Sequence, residues 1–582
     1  DRSVSRGLGD VYKRQILYSG LTVFAAVLGL TSCSSDYLQT EPSTSISDDT
    51  AVSTTQAAQM SVYGICRIMN TQLSQGRSHT GESSGVYWIG EGLGPDNVSY
   101  MNLGEMGRSW SRWESLNLPT SSLCKVQWDY CYMLVSRSNT ILATIADAEG
   151  PESEKQWIEA QCRTLRAHGY IHLLQWFGPR WQDSNNGSAY AAVLRTEPGT
   201  GPAPTATMNE ILDLVYSDLD KAIELYNSCG VSRSYWFEPD VDIARGLYAR
   251  AALLKQDWSK AQQMAHQARS GYPVMSNDEF MSGFINPASD YMWTNPDNDI
   301  YYSQWGCWYA CNGAYPANWS MGLAINMDLY RLLDPRDIRR KCFFTPDKAA
   351  EIAKISGYED VASLTEADFW NPNNVVAGTM DCLYGGLSKL ADGFVKYAMK
   401  NNPVSGSVNS YPFCRVIDGV AETSPSVMQL GGAVKMWCVG VNGTYGDQYY
   451  PWMRATEMLL TEAEAAYMAG DVTTAKSVIE ELNSIRIPGY TAPDGEALLE
   501  DIRISRRIEL WGEGHCWTDF KRWNLPMERR VWTANDVTSG NTPANYAIRQ
   551  ETSAYNGWRL MIPRSESDFN TGFDRSLMNY KD

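Results

Sequence analysis

The residues of this chain best suited to chemistry begin with Cys33. It closes the string Leu30-Thr31-Ser32-Cys33, which follows an apolar run from Ile16 to Leu30 preceded by Lys13 and Arg14. The run is roughly 15 residues, short of the ~20 that span a bilayer, and fits the h-region of a secretory signal. A small residue and then Cys at the cut site has the form of a bacterial lipobox, in which the thioether of Cys33 is diacylated and becomes the mature N-terminus. Acyl chains partition into lipid at ~0.8 kcal/mol per buried CH2, so several of them tether a folded domain without a membrane span. Residues 1–33 are therefore predicted to be a signal peptide with lipobox. Within them, residues 1–12 lack an initiator Met and carry Asp1, Arg2 and Asp10, which suit no n-region; they read as a non-native extension, outside the fold.

Other strings have catalytic or metal-binding spacing but lack the context such chemistry needs. His168 and His172 stand at i, i+4 like a pair of metal ligands, yet no Glu fills the H-E-x-x-H position, and the expectation is satisfied or solvent-facing imidazoles on a structural helix. Gly81-Glu82-Ser83-Ser84-Gly85 fits the nucleophile-elbow string G-x-S-x-G, but polar Ser74 to Thr80 precedes it where a hydrophobic strand is required. Asn295, Asp297 and Asp299 alternate like a calcium loop without its glycine or its twelfth-position Glu, which leaves adventitious calcium and no dedicated metal site. Carboxylates are plentiful, but nothing singles out two of them as a glycosidase pair. The chain reads as a non-enzyme without a cofactor.

Composition narrows the class. A net charge of −18 excludes nucleic acid as a partner, since that needs a basic footprint. No second long apolar run appears, so the membrane is met through the lipid anchor only. The 13 cysteines are scattered, with no CxxC pair; Cys307 and Cys311 are close enough to pair in a loop, and most of the rest are expected to be buried thiols. The 21 Trp and 33 Tyr exceed what a core requires, so part of that aromatic surface is expected to face a ligand.

Helices must position these groups. Residues 34–55 are rich in Ser, Thr and Asp and read as a flexible stalk. Apolar positions at three- and four-residue steps predict helices over 57–71, 128–145, 157–177 and 208–226, the third stopped by Gly178-Pro179 and the fourth with Asp218 and Asp220 on its polar side. The run Ala249…Ala252-Leu253-Leu254-Lys255-Gln256-Asp257…Ala261…Ala268 recurs in Ala463…Ala466-Tyr467-Met468-Ala469-Gly470-Asp471…Ala475…Leu482. Small residues, a tight turn and small residues again is tetratricopeptide-like: small side chains let paired helices approach closely. The two units do not follow each other in tandem. Between them lies a stretch rich in Asn, Gly, Pro and Tyr, with Tyr291, Trp293, Tyr301, Tyr302, Trp305, Trp308, Tyr309, Tyr315 and Trp319 inside 29 residues. A looser cluster holds Tyr87, Trp88, Tyr100, Trp110 and Trp113. The fold class expected is mostly α: a tetratricopeptide-like helical scaffold over residues 56–582, its helices mainly in 56–270 and 451–525, with a large irregular, aromatic-rich part mainly in 271–450.

In order along the chain stand Trp128-Asp129-Tyr130 with Ser138-Asn139, Leu165-Arg166-Ala167 running to Trp176-Phe177-Gly178-Pro179, Asp218-Leu219-Asp220-Lys221-Ala222, Asp334-Pro335-Arg336 and Phe394-Val395-Lys396-Tyr397. Then come Arg454-Ala455-Thr456-Glu457-Met458-Leu459-Leu460-Thr461-Glu462-Ala463-Glu464-Ala465, Asn483-Ser484-Ile485-Arg486, Arg506-Arg507-Ile508-Glu509-Leu510-Trp511-Gly512-Glu513-Gly514, Trp517 to Trp523 and Ile562-Pro563. Taken together, over nearly the whole length, these resemble the SusD/RagB family of glycan-binding outer-membrane lipoproteins of Bacteroidetes. His515 departs from the Arg usual after Glu-Gly. The resemblance implies a glycan or oligosaccharide ligand, delivery to a SusC-type TonB-dependent transporter as partner, and a lipid-anchored, surface-exposed place in the outer membrane. Asp36, just after Cys33-Ser34-Ser35, looks like the acidic signal for that surface location.

A pyranose presents an apolar C–H face that a Trp or Tyr ring can cover with little rotamer entropy lost, while Asn, Asp, Gln and Arg reach the hydroxyl rim. In such a family the ligand contacts come from loops equivalent to both aromatic clusters. The ligand-binding candidates are Trp88, Asp96 and Asn97 from the first and Trp293, Trp305, Trp308, Tyr315, Asn318 and Trp319 from the second. Two rival readings stand beside this one: a peptide- or protein-binding helical adaptor that uses its groove, and a glycan-cleaving lipoprotein.

Overall fold

A computed structural model describes residues 52–70, 81–99, 112–281, 288–295, 323–343, 408–411, 414–417, 420–423, 435, 438–440, 451–551 and 558–576. The described helices and strands all belong to one compact unit, Ser53–Asp582. Cys33 and residues 1–12 lie outside the described residues.

Helices dominate, and their ends are marked in the sequence. The longer ones are α1 Thr55–Asn70, α2 Ser122–Thr144, α3 Glu152–Trp176, α4 Met208–Cys229, α5 Val241–Lys255, α6 Trp258–Arg269, α7 Ala455–Met468, α8 Val472–Arg486, α9 Glu496–Glu509 and α10 Cys516–Trp523. Ser121 caps α2 by accepting from the Cys124 N–H, and Asp240 caps α5. Thr207 and Glu210 make a reciprocal capping box on α4, which ends at left-handed Gly230. The helices predicted over 57–71, 128–145, 157–177 and 208–226 correspond to α1 to α4. Asp218 is a correction. It faces inward, accepting from Arg166 Nε and Nη2 at 2.7 Å each and from Arg163 Nη1 at 2.9 Å. Arg166 also donates to Asn139 Oδ1 at 2.9 Å, so one guanidinium knits α2, α3 and α4, and its charge is what lets Asp218 be buried.

The two tetratricopeptide-like units form hairpins α5–α6 and α7–α8. Their turns use the same device: Gln256 and Gly470 adopt positive φ (62° and 89°), and the next residue, Asp257 or Asp471, caps the second helix. Although residues 270–454 separate them in sequence, α6 packs directly on α7, so the two hairpins are consecutive in space. Ala252, Ala261 and Ala465 meet at this junction, and Leu459, Leu460, Ala463, Ala475, Ile479 and Leu482 continue the core toward α9.

The intervening stretch is pinched where it leaves the frame. Strands β1 Asn97–Ser99, β2 Tyr291–Thr294, β3 Leu323–Ile325 and β4 Pro451–Arg454 form two antiparallel ribbons. β2 pairs with β4, Tyr291 opposite Arg454, and β1 pairs with β3, Ser99 opposite Leu323. The stretch also contains a four-stranded antiparallel sheet, in order Val420–Thr423, Cys414–Ile417, Val408–Tyr411 and Cys438–Gly440, which its irregular composition did not foretell. Seven described cysteines (Cys66, Cys124, Cys131, Cys162, Cys229, Cys342 and Cys516) are free and buried, as expected; Cys307 and Cys311 lie outside the described residues.

The end of α9 is held by a buried ion network. Glu509 accepts from Arg486 Nε and Nη2 (both 3.1 Å) and Arg339 Nη1 (3.3 Å), with Arg454 Nη1 at 3.7 Å. Burial alone would raise its carboxyl, but Arg486 and then Arg339 bring it down to about 2. Folded, the group is more acidic than its ordinary 4.5, so its stabilisation is full above that value and fades as the pH falls toward 2. Glu509→Gln is expected to lower the unfolding free energy by about 3–5 kcal/mol, because it strands buried guanidiniums. Denaturant titration at pH 7 measures this loss, and the same titration repeated down to pH 3 should show a shallower acid decline in the variant.

Candidate functional site

The positions at which the two aromatic segments leave the described frame are neighbours. Residues 100–111 follow Ser99 and residues 296–322 precede Leu323, and these two flanking residues face each other across the β1–β3 ribbon. Its base is anchored on the end of α9 and the segment after it. Asp96 accepts from Arg507 Nη2 (2.6 Å) and Nε (2.9 Å), its carbonyl accepts from Trp511 Nε1 (3.1 Å), and Asn97 Nδ2 donates to Glu91. Close backbone approach completes the anchor: a Cβ on Gly90 would collide with the carbonyl of Gly514, itself at φ 90°.

Three ligand candidates therefore take other roles. Asp96 and Asn97 are 1% exposed and committed to the ribbon's base. Trp293 is 0% exposed in β2, donating through Nε1 to the Phe237 carbonyl at 2.8 Å with its ring edge-on to Trp452. Its Gly-, Asn- and Pro-rich setting excludes a helix but leaves open a strand buried against the scaffold. Trp113 of the first cluster is likewise interior, packed on Trp517 and Trp558. Trp88 lies on the short helix Tyr87–Gly90. Trp305, Trp308, Tyr315, Asn318 and Trp319 lie outside the described residues, as do Asp297 and Asp299, while Asn295 is buried. Sequence reading passed over Tyr235 and Trp236, which are 53% and 43% exposed. They follow α4, the Trp236 carbonyl accepts from Thr294 N–H at 3.4 Å, and Arg233 sits 5.0 Å from the Trp236 ring. An aromatic triplet, Tyr235-Trp236-Phe237, in a non-helical link was the available signal.

Inside the frame, α3, α5, α7, α9, α10 and β4 line a partly open pocket of about 90 Å³ whose surface is more apolar than polar. The charged side chains that line it are paired. Arg250 meets Glu457 through two hydrogen bonds of 2.7 Å, Arg506 Nε meets Asp519 at 2.7 Å, and Arg522 Nη2 bridges Asp519 (2.9 Å) and Glu464 (2.9 Å). Lys521 donates to the carbonyls of Gln175 (2.7 Å) and Gly178 (2.8 Å) at the end of α3. His515, at the start of α10, lies 3.9 Å from Glu457; burial pulls its imidazole down, which Glu457 partly offsets. Burial pushes the Glu457 carboxyl up, yet Arg250 and His515 bring it to about 2; Glu513 and Asp519 are likewise held below the usual range by their cations. A glycosidase acid needs a raised carboxyl. The cavity's carboxylates are all driven the other way.

One wall of the cavity brings together two motifs that the sequence offered separately. Glu82 stands in a π-helical turn, Gly81–Val86, and not in the strand-to-helix elbow that G-x-S-x-G would need. Its Oε1 lies 2.9 Å from His168 Nε2 and 3.1 Å from His172 Nε2, and it accepts from the Tyr130 hydroxyl at 2.5 Å. The two imidazoles are neither solvent-facing nor fully satisfied: they are buried on α3, and among the described residues neither Nδ1 has a hydrogen-bond partner. Burial brings His168 down to about 4, so it is neutral at pH 7.

Comparison with known proteins fits this architecture. Residues 431–577 match the family model described as SusD family, and residues 94–250 match one described as starch-binding associating with outer membrane. SusD-like protein P38 of Formosa agariphila is 22% identical over 516 residues, covering 86% of this chain and 90% of that one. A SusD-like carbohydrate binding protein from Bacteroides vulgatus superposes with a TM-score of 0.65 at 16% identity over 91% of this chain and 98% of that one. A SusD superfamily protein from Bacteroides thetaiotaomicron gives 0.63 at 16% over 91% and 100%. At these identities the solved structures establish the shared fold.

Beneath the ribbon, Glu91 holds its proton unusually firmly. Burial lifts its carboxyl to about 8, and Asp96 adds to the rise, against the opposing pull of the Gly514 N–H and the Asn97 amide. With the folded value above the ordinary 4.5, the stability tied to this proton is full below that pH and is lost as the pH rises toward 8. Glu91→Gln should therefore be more stable than the parent at pH 8 by roughly 1–3 kcal/mol, with the gap closing at pH 5, read from melting curves across that range.

Proposed function

The chain belongs to the SusD/RagB family, and from that premise we propose that it captures a glycan or oligosaccharide at the outer membrane and hands it to a TonB-dependent transporter of the SusC type. The observation that carries the reading is the meeting of Ser99 and Leu323 in one register, which gives two aromatic-rich segments a common origin on a rigid helical frame. Trp305, Trp308, Tyr315, Asn318 and Trp319 follow from one segment, and exposed Trp236 lies beside the strand from which that segment departs. Stacking contributes ~1–3 kcal/mol per ring by analogy with bases, so two or three rings hold a sugar at micromolar to millimolar strength. Such weakness suits a protein that must release its ligand onward. The cation-held carboxylates of the cavity support capture over cleavage. Attachment is through acylated Cys33; among the described residues no helix is long and apolar enough to cross a membrane.

The test is migration of the full chain in native gels cast with a panel of polysaccharides, each lane assayed for free sugar. Retardation without product is expected, and release of sugar would turn the reading to an enzyme. Trp305→Ala with Trp319→Ala should abolish retardation and leave the melting temperature nearly unchanged; retained binding with a large fall in stability would place both rings in a core. Cys33→Ala should move the protein from the membrane to the soluble fraction in a strain lacking the transporter. Persistent attachment there would remove the lipid anchor from the account.

A further inference from the structure

We infer that Glu82, His168 and His172 form a binding site for a divalent first-row transition ion of the zinc class. The donor set is two imidazole nitrogens and one carboxylate, all buried, each offering a ligand atom within 4.8 Å of the others. That mixture suits zinc and its neighbours, whereas calcium and magnesium favour oxygen. Tetrahedral ligand atoms about 2.1 Å from an ion stand about 3.4 Å apart, so the two Nε2–Oε1 separations, 2.9 and 3.1 Å, would open by a few tenths of an ångström on binding. The i, i+4 spacing on α3 aims both rings at the same point.

Charge favours an ion over a hydrogen-bond junction alone. Glu457, Glu464 and Asp519 each lie against a guanidinium, but Glu82 makes its hydrogen bonds to two imidazoles and a phenol, and the Arg250 guanidinium acts on it only through space. Burying a carboxylate is costly without a full countercharge, and a divalent cation supplies one. Entry is provided by the pocket, which both Glu82 and His172 line. A fourth ligand position facing that cavity is open to water or a small anion, the arrangement of sites with three protein ligands.

The site joins segments distant in sequence. Glu82 comes from the π-helical turn that leads into Tyr87–Gly90, and the histidines from the C-terminal half of α3. Departures from regular helix of this kind often mark functional positions. A bound ion would staple the turn bearing Trp88 to the scaffold. This role does not depend on what the aromatic segments bind.

The experiment strips the full chain with a chelator and returns Zn²⁺ by equilibrium dialysis, counting bound metal. Co²⁺ serves as a spectroscopic substitute in parallel. One equivalent per chain is expected, with a visible Co²⁺ band and a rise in melting temperature on adding Zn²⁺. The equivalent and the band should both be lost in His168→Gln and in His172→Gln, while Tyr130→Phe keeps them, since its hydroxyl is not a ligand. Because a buried histidine variant can fail to fold, the parent chain also decides the matter alone: no stoichiometric Zn²⁺ and no Co²⁺ band there means the cluster is a hydrogen-bond junction. Undiminished binding in a folded histidine variant would place the ion elsewhere and equally overturn the assignment.

Discussion

A carboxylate shut away from water needs cations around it, and Glu509 gathers them from three separate parts of the chain. Arg486 comes from α8, Arg339 from the turn Ile338–Cys342 and Arg454 from the end of β4. Arg454 extends the network, pairing with Asp290 just before β2 and with Glu513 beyond α9. Lys435, from the middle of the intervening stretch, donates to the carbonyls of Glu509 and Trp511 and to Glu513. Every one of these groups is buried, so none can leave without stranding another. The network thus fixes where the long insertion departs, where it returns and what it crosses on the way.

That constraint separates two tasks in one chain. Hairpins α5–α6 and α7–α8 stack as if adjacent, while the material between them is gathered at β2–β4 and again at β1–β3. The entropy of closing a loop rises only as the logarithm of its length. Once its two ends are paired, a long aromatic-rich segment therefore costs the frame little more than a short one would. Sequence in such segments is free to follow the ligand, and sequence at their bases is not. Asp96, Asn97 and Trp293 belong to the bases.

This division explains what was legible in the sequence. Helix positions follow from apolar periodicity, and the hairpins from alanine spacing with Asp257 and Asp471 as caps, because those signals are local. Pairings are not local. Asp96 is 411 positions from Arg507, so its type suggested a ligand contact while its true partner lay beyond any local pattern. Trp293 sits among residues that forbid a helix, and only its pairing with β4 shows it to be interior. Glu82 and the histidines are the sharpest instance. A G-x-S-x-G string and an i, i+4 pair each failed alone for want of context, yet Glu82 is 86 positions from His168 and supplies what that pair lacked.

The physical demands of weak capture obey the same logic. Ordering one backbone residue costs ~1–2 kcal/mol, about what one stacked sugar ring returns. A binding surface carried on segments with free ends would spend its affinity on ordering them. Anchoring the ends in the β1–β3 and β2–β4 ribbons moves part of that cost into folding, where the buried ion pairs and the alanine-packed hairpins bear it. On the proposed capture role, what remains for the ligand is a small net affinity from a few rings. A carrier that must both hold and release its cargo works in that range.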